Sequence, residues 1–190
     1  MTPDRQGPPS PSEALLVVDV FDDFRHEDGP ALLRSFRVAQ PRMVRALQEA
    51  RAAGVPVVFA NDTKGWWHGD RDLLLERAFR GPGGPLMRPL APTGDDRFVV
   101  KPRYSAFDLT PLALMLDELG ITRILLAGAT TEMCVTQTAI AARERGLQVT
   151  LLLEACAHVD AEDARVAVAY LERVVGVWVE GSVTALESEG

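Results

Sequence analysis

The sequence predicts an α/β fold: three layers, α/β/α, around a central, mostly parallel six-stranded sheet of Rossmann-like plan. Two observations carry that expectation. Short apolar runs alternate along the chain with stretches whose apolar residues recur at helical spacing. Parallel strands covered on both faces read as continuous apolar runs of this kind. At 190 residues, 47% of them apolar and 25% charged, the chain is long enough for one full core and short for two.

The elements follow in order. Ala14 to Val20 is the first apolar run and reads as strand one. Around Gln40 to Ala53 a helix is expected, with Val44, Leu47 and Ala50 at helical spacing and Gly54 ending it. Val55 to Ala60 is strand two. From Asn61 to Asp96 periodic signals are few, Gly and Pro are frequent, and two tryptophans are adjacent; an excursion of this length is usually functional. Arg97 to Lys101 is strand three. Leu109 to Leu119 is a helix with Pro111 near its start and Gly120 closing it. Strand four is Arg123 to Ala127, a helix spans Thr131 to Arg145, and strand five is Gln148 to Leu153. A last helix, Ala161 to Val174, is capped by Asp160, and Val177 to Glu180 is the last strand.

Composition narrows the function. A net charge of −7 without a basic stripe argues against a nucleic-acid surface. No apolar run approaches the roughly 20 residues of a membrane span. Met1 to Ser12 is polar and proline-rich, which reads as a disordered leader before a single domain at 13–190. The two cysteines, Cys134 and Cys156, lack metal-ligand spacing and suit a reducing cytoplasm. Neither a G-x-G-x-x-G after strand one nor a G-x-x-x-x-G-K-[ST] occurs, so no nucleotide cofactor is expected.

The most informative stretch is Leu125-Leu126-Ala127-Gly128-Ala129-Thr130-Thr131-Glu132-Met133-Cys134-Val135. An apolar strand enters a Gly/Thr turn, and a helix opens with a cysteine in its first turn. That turn carries unpaired N–H groups and the positive end of the helix dipole. A thiol there is expected to lose its proton more readily and act as a nucleophile. The same N–H groups can receive the oxyanion formed when a carbonyl is attacked.

Open parallel sheets bind ligands at the carboxyl ends of their strands. Strand one ends near Asp19, strand two at Asn61 and Asp62, strand three at Lys101, and strand four just before Cys134. Asp19 lies inside an apolar run, where a carboxylate must be paired. It is a candidate general base for the Cys134 proton. Lys101 beside both groups would stabilise carboxylate and thiolate.

Three blocks carry a family resemblance: Leu15-Leu16-Val17-Val18-Asp19-Val20-Phe21-Asp22-Asp23-Phe24, Lys101-Pro102-Arg103-Tyr104-Ser105-Ala106-Phe107, and Gly128-Ala129-Thr130-Thr131-Glu132-Met133-Cys134-Val135. In this order and at these separations the chain resembles the isochorismatase-like cysteine hydrolases, which include nicotinamidases, N-carbamoylsarcosine amidase and ureidoacrylate amidohydrolases. The resemblance implies a catalytic Asp19–Lys101–Cys134 triad. It also implies a cis peptide between Ala129 and Thr130 that aims the Thr130 and Cys134 amides at one point as an oxyanion hole. The activity implied is hydrolysis of a small amide, ureido or carbamoyl C–N bond through a thioester on Cys134. A homo-oligomer, dimer or tetramer, acting on a small molecule is implied as well.

Departures bear on the substrate. Phe21 and Asp22 stand where the family commonly has Gln and Asn, which suggests a more apolar pocket. Metal-holding members use an Asp and two His after strand two; here Asp62 matches the Asp, Lys64 replaces the first His, and only His68 remains in the loop. No required metal is expected. Asn61-Asp62-Thr63-Lys64-Gly65-Trp66 looks like an Asn-Asp-x-x-Gly-Trp variant of less characterised members. Glu154-Ala155-Cys156 stands where Asp-Ala is frequent after strand five. Candidate substrate-binding residues are Phe21, Phe24, Asn61, Asp62, Trp66, Trp67, Tyr104 and Phe107. His26 and His158 are expected as exposed or capping histidines. Two other readings stand beside the hydrolase. One is a vinyl-ether hydrolase of the isochorismatase kind, which gives Cys134 no task. The other is a non-catalytic binding or redox module in which Cys134 is reversibly oxidised.

Overall fold

A computed structural model describes residues 12–62, 65 and 70–182. The expected leader up to residue 11 lies outside the described residues, as do Lys64, Trp66, Trp67 and His68. Six strands form one sheet: β1 Glu13–Val18, β2 Val57–Asp62, β3 Arg97–Lys101, β4 Arg123–Ala129, β5 Gln148–Ala157 and β6 Trp178–Glu180. Their order is β3-β2-β1-β4-β5-β6, and every adjacent pair is parallel. The helices are α1 Gly29–Ala52, α2 Arg71–Arg80, α3 Gly84–Met87, α4 Leu112–Glu118, α5 Thr136–Glu144 and α6 Ala161–Tyr170.

Strand side chains alternate between faces, which builds two cores. Leu16 and Val18 of β1 pack with Leu112 and Leu116 of α4, Ala139 and Ala142 of α5, and Ala164 and Val168 of α6. Leu15 and Val17 join Leu32, Phe36, Met43 and Leu47 of α1, with Ala78 of α2 and Met87 of α3. The expected three-layer α/β/α plan is the architecture found. No described helix is long and apolar enough to cross a membrane.

Helix α1 begins eleven residues before the expected Gln40, with Pro41 inside it. An internal proline costs a helix about 3 kcal/mol. Leu32, Phe36, Ala39, Met43, Leu47 and Ala50 are all buried at helical spacing. Each large apolar side chain buried contributes ~1.5–3 kcal/mol, so one continuous stripe outweighs the local penalty.

The stretch from Asn61 to Asp96 is not structureless. Helix α2 is capped by Asp70, whose carboxylate accepts from the Asp72 and Leu73 N–H at 2.8 and 3.2 Å. A 3₁₀ turn at Arg88–Leu90 follows α3. Only Ala78 of α2 is fully buried, so its sequence carries almost no apolar period. Strand β5 runs four residues past the expected Leu153 to Ala157, with a register shift opposite Leu126 and Gly128. Glu154, Ala155 and Cys156 therefore lie inside the strand rather than after it.

The sheet order reverses between β1 and β4, so the turns after these two strands open a crevice. Both turns depart from ordinary backbone. Asp19 sits at φ 49, a left-handed conformation that Asp tolerates better than most residues, and the Ala129–Thr130 bond is cis. Gly128 pairs with Val18 across the crevice floor at φ 130, and a Cβ there would stand 2.0 Å from the Val18 carbonyl oxygen.

No rotamer relieves a clash between a Cβ and a backbone oxygen. Gly128→Ala is therefore expected to lose more than about 3 kcal/mol of stability in urea unfolding. A variant that unfolds at the wild-type urea midpoint would remove the close approach of β1 and β4 from this account.

Candidate active site

Three strand ends bring Asp19, Lys101 and Cys134 together. Asp19 follows β1, and its backbone N–H donates to the Ala60 carbonyl of β2 at 2.8 Å. Lys101 closes β3, two strands away from β1. Two strand spacings amount to roughly 9–10 Å, a gap that takes a long side chain to cross. Asp62, the register partner of Lys101, ends the intervening strand.

The Lys101 side chain is 0% exposed, and its Nζ lies 2.7 Å from Asp19 Oδ2. It also donates to the Arg103 carbonyl at 2.9 Å and to Cys134 Sγ at 3.5 Å. Three acceptors match the three ammonium protons, the condition for tolerating a buried lysine. Asp19 Oδ1 accepts the Asp62 backbone N–H at 2.7 Å. The Cys134 thiol donates to the Asp19 carboxylate.

Electrostatics assign the protons. Burial pushes the Asp19 carboxyl above its ordinary range, against the Lys101 charge and the hydrogen bonds from Cys134, Lys101 and Asp62. Burial pulls Lys101 down, but the charges of Asp19, Cys134 and Asp62 more than offset it, and the ammonium is held above its ordinary range. The Cys134 thiol is pushed up to about 12, first by burial and then by the neighbouring Asp19 charge, which together outweigh Lys101. The helix-start expectation of an easily ionised thiol is thus corrected. Cys134 lies in a π-helical turn, Thr131–Val135, that precedes α5. At rest the proton stays on sulfur, with Asp19 as its acceptor.

These groups open into a cleft of about 350 Å³, lined among others by Asp19, Asp62, Ala129, Thr130, Met133 and Cys134. Thr130 and Cys134, the residues expected to supply the oxyanion hole, both border it.

The isochorismatase domain family model matches residues 13–182. The chain belongs to the isochorismatase family. The streptothricin hydrolase of Streptomyces noursei is 35% identical over 152 residues, 79% of this chain and 56% of its own length. Ureidoacrylate amidohydrolase RutB of Methylobacterium radiotolerans is 30% identical over 206 residues, 92% of this chain and 78% of its own. The crystal structure of nicotinamidase PncA from Bacillus subtilis superposes with a TM-score of 0.70 at 30% identity, covering 90% of this chain and 99% of that one. The chain is an enzyme of this family, an amidohydrolase-type hydrolase.

The three residues expected as a triad are in contact, whereas most expected pocket residues sit elsewhere. Phe21 is 2% exposed and packs among Phe59, Phe79 and Phe98. Phe24 is 5% exposed and meets Phe36 edge-on, and Phe107 is buried beneath the Arg145 guanidinium. These three are core, so the apolar pocket inferred from Phe21 is corrected. Asn61 is buried as well: its Oδ1 accepts the Phe21 N–H at 2.9 Å and its Nδ2 donates to the Phe21 carbonyl at 3.1 Å. It ties β2 to the turn after β1. Tyr104 is exposed and does not appear among the residues bordering the cleft. Of the expected pocket residues that are described, Asp62 alone borders the cleft. Trp66 and Trp67 lie outside the described residues.

Of the residues a metal would need after β2, Asp62 is the one described, and its backbone serves Asp19. His26 is exposed as expected, but it pairs with Asp22 at 3.3 Å and borders the cleft. His158 is neither exposed nor a cap: it is buried, with Nδ1 3.1 Å from Ser35 Oγ. Sequence reasoning also missed Glu132, whose Oε1 accepts the Val159 and Asp160 N–H at 2.7 and 3.3 Å. Its position two residues before Cys134 was the available signal.

Alkylation of Cys134 by iodoacetamide, followed by mass spectrometry against pH, is expected to show a midpoint well above the ordinary thiol range. Asp19→Asn removes the Asp19 charge that helps to raise it and is expected to lower that midpoint. A wild-type midpoint near neutrality would contradict the proton assignment.

Proposed function

We propose that the chain hydrolyses a C–N bond of a small amide, ureido or carbamoyl compound through a thioester on Cys134. The observation that carries this reading is the contact of a cysteine and a carboxylate that line one cleft with a buried ammonium behind them. The amidohydrolases among its relatives support the same bond class.

In this mechanism Asp19 takes the thiol proton as Sγ attacks the carbonyl carbon. The tetrahedral oxyanion lies against the Thr130 and Cys134 N–H groups. Asp19 then gives its proton to the departing nitrogen, and ammonia or an amine leaves as the thioester forms. Water attacks the thioester next. Asp19 accepts a proton from that water and returns it to sulfur, releasing the acid. Throughout, Lys101 fixes the orientation of the carboxylate and offsets its charge. A vinyl-ether hydrolysis would leave Cys134 idle, and no contact in the site favours it.

Cys134→Ala is expected to lower ammonia release at least ~10³-fold with an unchanged far-UV circular dichroism spectrum. Wild-type turnover in that variant would exclude the covalent route. The substrate screen for this measurement comprises nicotinamide, ureidoacrylate, carbamoylsarcosine and simple primary amides.

The pH profile follows from the same assignments. Activity needs ionised Asp19, whose carboxyl is raised, so kcat/KM is expected to climb at a pH above the ordinary carboxylate range. It is expected to fall only where Lys101 loses its proton, above the ordinary lysine range. An acid limb at the ordinary aspartate position would remove Asp19 as the base.

A further inference from the structure

The walls of the cleft carry a charge pattern that the hydrolytic steps do not use. Of its 14 described lining residues, seven are carboxylates and none is Lys or Arg. Lys101, buried against Asp19, offsets the charge of that one carboxylate and leaves the described lining acidic. His26 is the sole basic group in the described lining, and it faces Asp22.

The carboxylates come from chain segments both before and after Cys134. In the earlier segment, Asp22 Oδ1 accepts the Phe24 N–H at 2.6 Å, and the exposed Asp28 precedes α1 without capping it by a side-chain hydrogen bond. In the later one, Asp160 caps α6 by accepting the Glu162 and Asp163 N–H, and Asp163 stands exposed in the first turn. Between the two segments in sequence is Glu132. Its Oε1 is held by the loop before α6, while Oε2 is buried and accepts no hydrogen bond among the described residues.

A concave site walled by one sign of charge focuses its field and raises the local concentration of the opposite sign. We propose that the substrate carries a cationic group, an ammonium or guanidinium, on the part of the molecule that lies between Asp28 and Asp163. This rests on the reading of the cleft as the place of amide hydrolysis and names the substrate class for it. A carboxylate-bearing amide meets repulsion from both walls, and a neutral one gains nothing from them. The Glu132 carboxylate adds its charge to the field that a cation meets there.

Three primary amides of matched length test the proposal: aminovaleramide, hexanamide and adipamic acid, ending in ammonium, methyl and carboxylate. Ammonia release by the full chain gives kcat/KM for each, and calorimetry with the Cys134→Ala variant gives binding without turnover. The expected order is ammonium over methyl by roughly tenfold, with carboxylate lowest, the gap shrinking as salt rises. In the double variant Asp28→Asn/Asp163→Asn the ratio of ammonium to methyl is expected to move toward one. Hydrolysis with no charge order, or with the carboxylate preferred, overturns the cationic substrate and leaves the hydrolytic reading standing. Charge-ordered binding without ammonia release overturns the hydrolytic reading and leaves the charge preference standing. Neither binding nor hydrolysis of any probe overturns both.

Discussion

The site depends on one buried ion pair. Moving an ammonium out of water costs several kcal/mol, and a carboxylate nearby recovers this only if the remaining donors are met. Lys101 meets that condition through Asp19, the Arg103 carbonyl and Cys134. The sheet makes the pairing possible: β3 ends two strands from β1, and a lysine is long enough to pass over the end of β2. Asp62 completes the link by giving its backbone proton to the other oxygen of Asp19. Removing either charge would strand its partner in the protein interior.

The pair also decides how the sulfur behaves. A cysteine near a helix start is ordinarily read as a ready thiolate, because the dipole favours negative charge there. Here a carboxylate already occupies the position that a second anion would need. Burial and that carboxylate together hold the thiol proton in place. In the proposed mechanism the nucleophile is therefore made during attack, by transfer to Asp19, rather than kept in advance, and one carboxyl group serves the thiol, the leaving nitrogen and the hydrolytic water in turn.

Much of this was legible in the chain. Apolar runs alternating with helical periods specify a parallel sheet, and charged residues at the ends of such runs specify the crevice. Asp19, Lys101 and Cys134 are each unremarkable alone, and it is their joint placement at one edge of the sheet, within three motif blocks, that makes them stand out. The cleft walls were less legible. Phe21, Phe24 and Phe107 are aromatic residues beside motif positions, and sequence does not tell a ring that faces substrate from one that fills core; here all three fill core. No motif singles out Asp28 or Asp163, and Glu132 lies inside a motif block without a role of its own. Their convergence follows from the sheet bringing the beginnings of α1 and α6 to the same edge, a relation between segments more than a hundred residues apart.

Glu132 has a mechanical consequence. Its carboxylate grips two amides in the loop leading to α6, while its own backbone belongs to the turn that carries the sulfur. The beginning of α6 and the reactive turn are thus bolted into one rigid piece. Under the proposed mechanism, a molecule seated against Asp160 or Asp163 rests on the same body as the attacking sulfur, so its grip is translated into alignment with little slack between them.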